Sequence, residues 1–180
     1  YNNEMFGSSK LASKVGKLKD RYYLKSIYGW NDKIKNDFFE KYYKNILEEC
    51  VFLDYVPEVL KKLKEEGNKL YFISARITGI KNCDTYSITK NMLESNNIEY
   101  DKIIFDAYDK LKYAKANKID VFIDDIYDIC KIMYQNRIKT FLMTSTMNEN
   151  IDTRNIERVY DWNEVYKKIN EYKKEAKMNG

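Results

Sequence analysis

Ile119-Asp120-Val121-Phe122-Ile123-Asp124-Asp125-Ile126-Tyr127-Asp128 is the stretch that decides how this chain folds. Val121, Phe122 and Ile123 form a short apolar run of strand formers, with Lys118 and Asp120 before it and a burst of carboxylates after it. Such a run reads as a buried parallel strand. Ligands of α/β sheets bind at the C-terminal ends of strands. Asp124, Asp125 and, one turn on, Asp128 therefore stand where a hard divalent cation such as Mg²⁺ is held by carboxylates and phosphate oxygens. The same acids also suit the start of a helix, as N-cap and first-turn residues. On these residues alone both readings stay open.

Outward from this strand, the sequence alternates strands and helices from Asp54 onward. Val56 to Glu66 reads as a helix, with Pro57 in its first turn and Gly67 as its stop. A strand over Leu70 to Ile73 ends in Ser74-Ala75-Arg76. There follow a helix from Thr85 to Asn96, a strand from Ile103 to Phe105 and a helix from Lys110 to Asn117. After the strand at Val121 to Ile123 come a helix from Ile126 to Asn136, strands at Thr140 to Met143 and Arg158 to Tyr160, and, behind an Asp161 cap, a helix from Trp162 to about Lys177. This alternation predicts right-handed βαβ units and an α/β fold with a doubly wound parallel sheet. Ser74, the Asp106 to Lys110 loop, Asp124 to Asp128 and Thr144 then share one edge.

Residues 1–53 have a different texture, helical and rich in aromatics, and read as a small helical segment set apart from a core at 54–180. Ser8 or Ser9 caps a short helix through Leu11, Val15 and Leu18. Asn31 precedes Ile34, Phe38, Phe39, Tyr42, Tyr43, Ile46 and Leu47, whose spacing of three and four traces a wide apolar face. Trp30, beside Gly29 at this helix start, is the aromatic best placed to touch a ligand.

Composition narrows the chemistry. A chain of 180 residues that is 44% hydrophobic supports one core with a small inserted part. No apolar run is long enough to span a membrane and no leader is visible, so the expected location is cytoplasmic. Cys50, Cys83 and Cys130 are odd in number and isolated, which argues against a disulfide framework and paired-cysteine zinc. With no histidine, chemistry must run on carboxylates, hydroxyls and lysines. The net charge of +4 is interleaved along helices and forms no stripe for nucleic acid. Self-association is not legible.

Two further groups fall on the edge that holds Asp124. The Ser74 hydroxyl with the N–H groups of Ala75 and Arg76 can hold an oxyanion, and the Lys110 ammonium can neutralise a phosphoryl oxygen. Singly, a serine there is equally a turn residue and a lysine equally a surface charge. The order hydroxyl, lysine, paired aspartates resembles motifs two, three and four of the haloacid dehalogenase superfamily of phosphatases. Tyr-Phe-Ile-Ser-Ala-Arg at 71–76, Asp-Lys-Leu-Lys-Tyr-Ala-Lys at 109–115 and Val-Phe-Ile-Asp-Asp at 121–125 are similar to its 5'(3')-deoxyribonucleotidase branch. The stretch from Tyr22 through Gly29-Trp30 to Tyr42-Tyr43 is similar to that branch's helical cap.

The resemblance implies Mg²⁺-dependent hydrolysis of a nucleoside monophosphate or other small phosphate ester through an aspartyl-phosphate. By position it makes Ser74, with Ala75 and Arg76, the phosphoryl-binding group and Lys110 the neutralising cation. Asp125 would bind Mg²⁺ with Asp124 in support, Asp128 would stand behind them, and Trp30 would contact substrate. One motif departs from the pattern: the Asp-x-Asp strand that carries the nucleophile does not occur before Ser74. Asp54 lacks a second aspartate two residues on and reads as a helix-entry residue. The expectation is that the motif-one strand lies upstream of Tyr1. The alternative is a catalytically inactive relative that serves as a binding or interaction module.

Overall fold

A computed structural model describes residues 29–178. The helix expected from Ser8 to Leu18 and the tyrosine-rich stretch up to Tyr28 lie outside the described residues. The chain divides into two compact units, one running to Cys50 and taking in Thr78–Ile88, the other comprising Val51–Ile77 and the chain from Thr89.

In the first unit, α1 spans Asp32–Glu48. Asn31 Oδ1 accepts from the Ile34 N–H at 2.9 Å and so fixes the helix start. The four-residue spacing of its aromatics sets rings over one another, Phe38 on Tyr42 at 5.5 Å and Phe39 on Tyr43 at 5.3 Å.

The second unit is built from α2 (Val56–Glu65), β1 (Tyr71–Ile73), β2 (Lys102–Ile104), α4 (Lys110–Ala116), β3 (Val121–Asp124), α5 (Tyr127–Gln135), β4 (Lys139–Met143), β5 (Glu157–Val159) and α6 (Trp162–Met178), with α3 (Thr85–Ser95) beginning in the first unit. Pro57 stands in the first turn of α2, and Gly67, at φ +83°, follows its last turn in the left-handed conformation that ends a helix at little cost. Every strand pairing is parallel, so the chain is an α/β protein with parallel strands, as the sequence predicts. Asp54, exposed in the turn before α2, makes no capping bond; Tyr55, at φ 66°, holds the N-cap position.

The strands form two ladders, β1–β2 and β3–β4–β5. In a parallel ladder alternate residues turn their N–H and C=O groups to opposite sides. Ser74 N–H donates to Ile104 O, and Lys139 N–H donates to Asp120 O. In this register the even-numbered residues of β1 and β3 face their partners, while Tyr71, Ile73, Val121 and Ile123 face away. Among the described residues no strand pairs either of those outer edges. Yet β1 and β3 share packing: Leu70 packs on the cluster that includes Val121 and Ile123, and Ile73 packs on the one around Phe122. The two pieces belong to one core and lack a ladder between them.

That core is deepest at β4. Phe141 and Met143 pack with Val59 and Leu63 of α2 and Val165 and Ile169 of α6, while Leu142, pointing the other way, packs with Cys130 of α5 and Ile156. Full burial of such side chains contributes about 1.5–3 kcal/mol each.

Candidate functional site

The end of β3 is built around one buried ion pair. Asp124 closes the strand, and its Oδ2 lies 2.6 Å from Lys110 Nζ; the two side chains are only 5% and 13% exposed. Lys110 reaches it because Asp109 Oδ1 accepts from the Lys112 N–H at 3.1 Å, starting α4 there and aiming its first residue at β3. The other Asp124 oxygen accepts from the Ile126 N–H at 3.0 Å. Asp124 is therefore both a turn residue before α5 and the ion-pair partner of Lys110.

Asp125 is different. It is exposed and has no ion-pair partner among the described residues. Enough protein surrounds its carboxyl that loss of hydration, and then the Asp124 charge beside it, push it above the ordinary aspartate range, with Lys110 opposing. Asp128 is exposed in the first turn of α5. Beneath the turn, the Cys130 thiol donates weakly to Asp124 O at 3.5 Å. Burial and the Asp124 charge push this thiol far up, so it is a packing residue and not a nucleophile.

At the end of β1, Ser74 is half-buried and its Oγ accepts from the Arg76 N–H at 3.1 Å. That N–H, which the sequence reading offers to an oxyanion, is used locally. The Ser74 O–H remains available as a donor, and Ala75 is exposed. Arg76 Nη1 donates to Thr89 Oγ1 at 2.8 Å, tying the turn to α3. The loop after β2 fastens onto this turn, with Ala107 N–H donating to Ser74 O at 3.0 Å and Asp106 N–H to Arg76 O at 3.1 Å. Three residues beyond Ala107 comes Lys110, so one short loop connects the Ser74 turn to the Lys110–Asp124 pair. Trp30, in the first unit, is 6% exposed, and its ring lies 5.1 Å from Phe38.

The sequence reading missed Asn148 and Arg158. Asn148 is 1% exposed and uses its whole carboxamide: Nδ2 donates to Asp125 O at 2.8 Å and Met143 O at 2.7 Å, and Oδ1 accepts from Ser145 N–H and from Arg158 Nη1. Arg158, on β5, also donates to Thr144 Oγ1 and to the carbonyls of Asn148 and Ile151. The backbone of Asp125 is thereby clamped from the far strand. Only the placement of Arg158 in a short strand was legible.

As a cation site this is a partial donor set. No group of three His, Cys, Asp or Glu side chains converges among the described residues. Asp125 offers a carboxylate, Asp124 is shared with Lys110, and a Mg²⁺ ion completes its six positions with waters and substrate oxygens. The pair fits such an ion provided that a further oxygen donor joins it.

No family model matches the chain. It is 29% identical over 147 residues to a curated nucleotidase of Clostridium acetobutylicum, a match covering 81% of this chain and 73% of that protein. No helix among the described residues is long and apolar enough to cross a membrane.

Proposed function

We propose that the second unit carries the phosphoryl site of a Mg²⁺-dependent phosphomonoester hydrolase of the haloacid dehalogenase type, acting on a nucleoside monophosphate or other small phosphate ester. The observation that carries the reading is the buried Lys110–Asp124 pair at the C-terminal end of β3, joined by one loop to the Ser74 turn. The similarity to a nucleotidase supports the substrate class. In this reading Ser74 donates its O–H to a phosphoryl oxygen, and Lys110, held by Asp124, neutralises charge on the transferring group. Asp125 and Asp124 hold Mg²⁺, which when bound neutralises phosphate oxygens and aligns them for in-line attack. Phosphoryl transfer needs positioning and charge balance more than elaborate covalent chemistry. The nucleophilic aspartate belongs to a further parallel strand between β1 and β3, in a doubly wound sheet; the outer edges of those two strands, which no strand pairs among the described residues, support this.

The test is phosphate release from nucleoside monophosphates with and without Mg²⁺. It compares the 180-residue chain with one extended ahead of Tyr1 by an apolar strand ending in Asp-x-Asp. The extended chain is expected to turn over only with Mg²⁺, the shorter one essentially not at all. Lys110→Ala in the extended chain is expected to lose at least about a hundredfold in rate. Turnover by the 180-residue chain that Asp54→Asn abolishes would make Asp54 the nucleophile and overturn this assignment. A site that binds neither Mg²⁺ nor phosphate esters would leave the binding-module reading.

A further inference from the structure

We infer that Tyr108 is the aromatic platform for the base of the nucleotide, a specificity residue that sets nucleoside monophosphates apart from other phosphate esters. This rests on the phosphomonoesterase reading above and adds to it the part of the substrate that the phosphoryl groups do not touch. Tyr108 is 72% exposed, the most exposed aromatic side chain among the described residues. Among the described residues no ring contact or side-chain hydrogen bond occupies it.

Its backbone, by contrast, is tightly held. The Tyr108 N–H donates to Asp106 O at 2.9 Å, the preceding Ala107 N–H is bonded to Ser74 O at 3.0 Å, and the following Asp109 caps α4. Along the loop, Ala107 is fully buried, Tyr108 stands in solvent and Lys110 turns back to Asp124. At 3.8 Å per residue the Cα atoms of Tyr108 and Lys110 are at most about 7 Å apart. The backbone is thus fixed one short step along the chain from Lys110 and carries an exposed aromatic ring, within reach of a base whose 5'-phosphate meets that lysine. Base–aromatic stacking tolerates any base, because each has a π-face.

Two other aromatics are worse placed. Trp30 is buried, and Tyr160, although exposed, follows β5, two strands away from the acidic turn of β3.

The experiment is ligand-observed NMR titration of the 180-residue protein in Mg²⁺ with thymidine 5'-monophosphate and, separately, ribose 5-phosphate. Tyr108→Ala, Tyr108→Phe, Ser74→Ala and Lys110→Met are titrated alongside, each checked for folding by circular dichroism. Tyr108→Ala is expected to weaken nucleotide binding about tenfold and to leave ribose 5-phosphate unchanged, with Tyr108→Phe restoring the nucleotide. Equal effects of Tyr108→Ala on both ligands, or none on either, would overturn the inference while the phosphoryl site stands. Binding of neither ligand by this chain and by the chain extended ahead of Tyr1, or binding indifferent to both Ser74→Ala and Lys110→Met, would remove the phosphomonoesterase reading and this inference with it.

Discussion

The two pieces of the sheet, β1–β2 and β3–β4–β5, are built from similar apolar runs and end up in unlike states. In the larger piece, β4 has a strand on each side and buries four of its five residues, Thr140 through Met143. In the smaller piece every residue of β1 is only half-buried. Sequence chemistry does not explain the difference, since Tyr-Phe-Ile is as apolar as Thr-Phe-Leu-Met. The number of neighbours does: burial in a parallel sheet needs a strand on both edges and a helix on both faces. Among the described residues β1 and β3 are each paired on one edge only, and the two chemical groups of the candidate site stand at the ends of these two strands.

The largest effect that sharpens this contrast is on stability. Phe141→Ala, at a fully buried position in β4, is expected to cost about 3–5 kcal/mol, whereas Phe72→Ala, in β1, costs roughly half as much because solvent already reaches it. Urea unfolding of both variants measures the difference, and equal losses would mean that β1 is as enclosed as β4.

A smaller and more local effect concerns the edges themselves. Amide hydrogen exchange at Val121 and Ile123, which face away from β4, is expected to run at least about a hundredfold faster than at Phe122 and Asp124. Exchange rates at Tyr71 and Ile73 are expected to follow the same rule. Protection of all these amides to one level would show that another strand already fills the space, which breaks the comparison at its root.

The smallest effect belongs to Asp125. Its carboxyl titrates above the ordinary value of 3.8 in the folded chain, so the folded state favours the protonated form. The contribution is fully present below the unfolded value and is lost as pH rises through the higher folded one. Asp125→Asn is therefore expected to stabilise the metal-free protein at pH 7, by less than about 1 kcal/mol because solvent screens an exposed group. The gain disappears near pH 3. Thermal melts at the two pH values read it directly.

Much of the fold was legible in the sequence because its punctuation is local. Asn31, Asp109 and Asp161 each accept from the N–H three residues on, and apolar runs between such caps can only be strands or helix faces. Strand ends accordingly fall within one or two residues of expectation. The break between β1 and β3 was not legible from their runs, since an apolar run reads the same whether one or both of its edges are paired. In the site, Lys110 was legible as the first residue of a helix beside an acidic strand end. The local use of the Arg76 N–H was hidden, because a serine turn closes on itself without changing the pattern of residue types. Asn148 left no signal either: its partners lie 23 and 10 residues away, at Asp125 and Arg158, and a loop asparagine has no periodicity to betray them.

That clamp also sets an order of events during synthesis. Asp125 and its strand leave the ribosome well before Arg158, whose four hydrogen bonds fasten the loop that holds the Asp125 carbonyl. At about 5–20 residues per second the acidic turn spends seconds without its lock. A nascent chain thus carries its carboxylates in an unset geometry until β5 emerges, and the turn is set only once Arg158 has joined it.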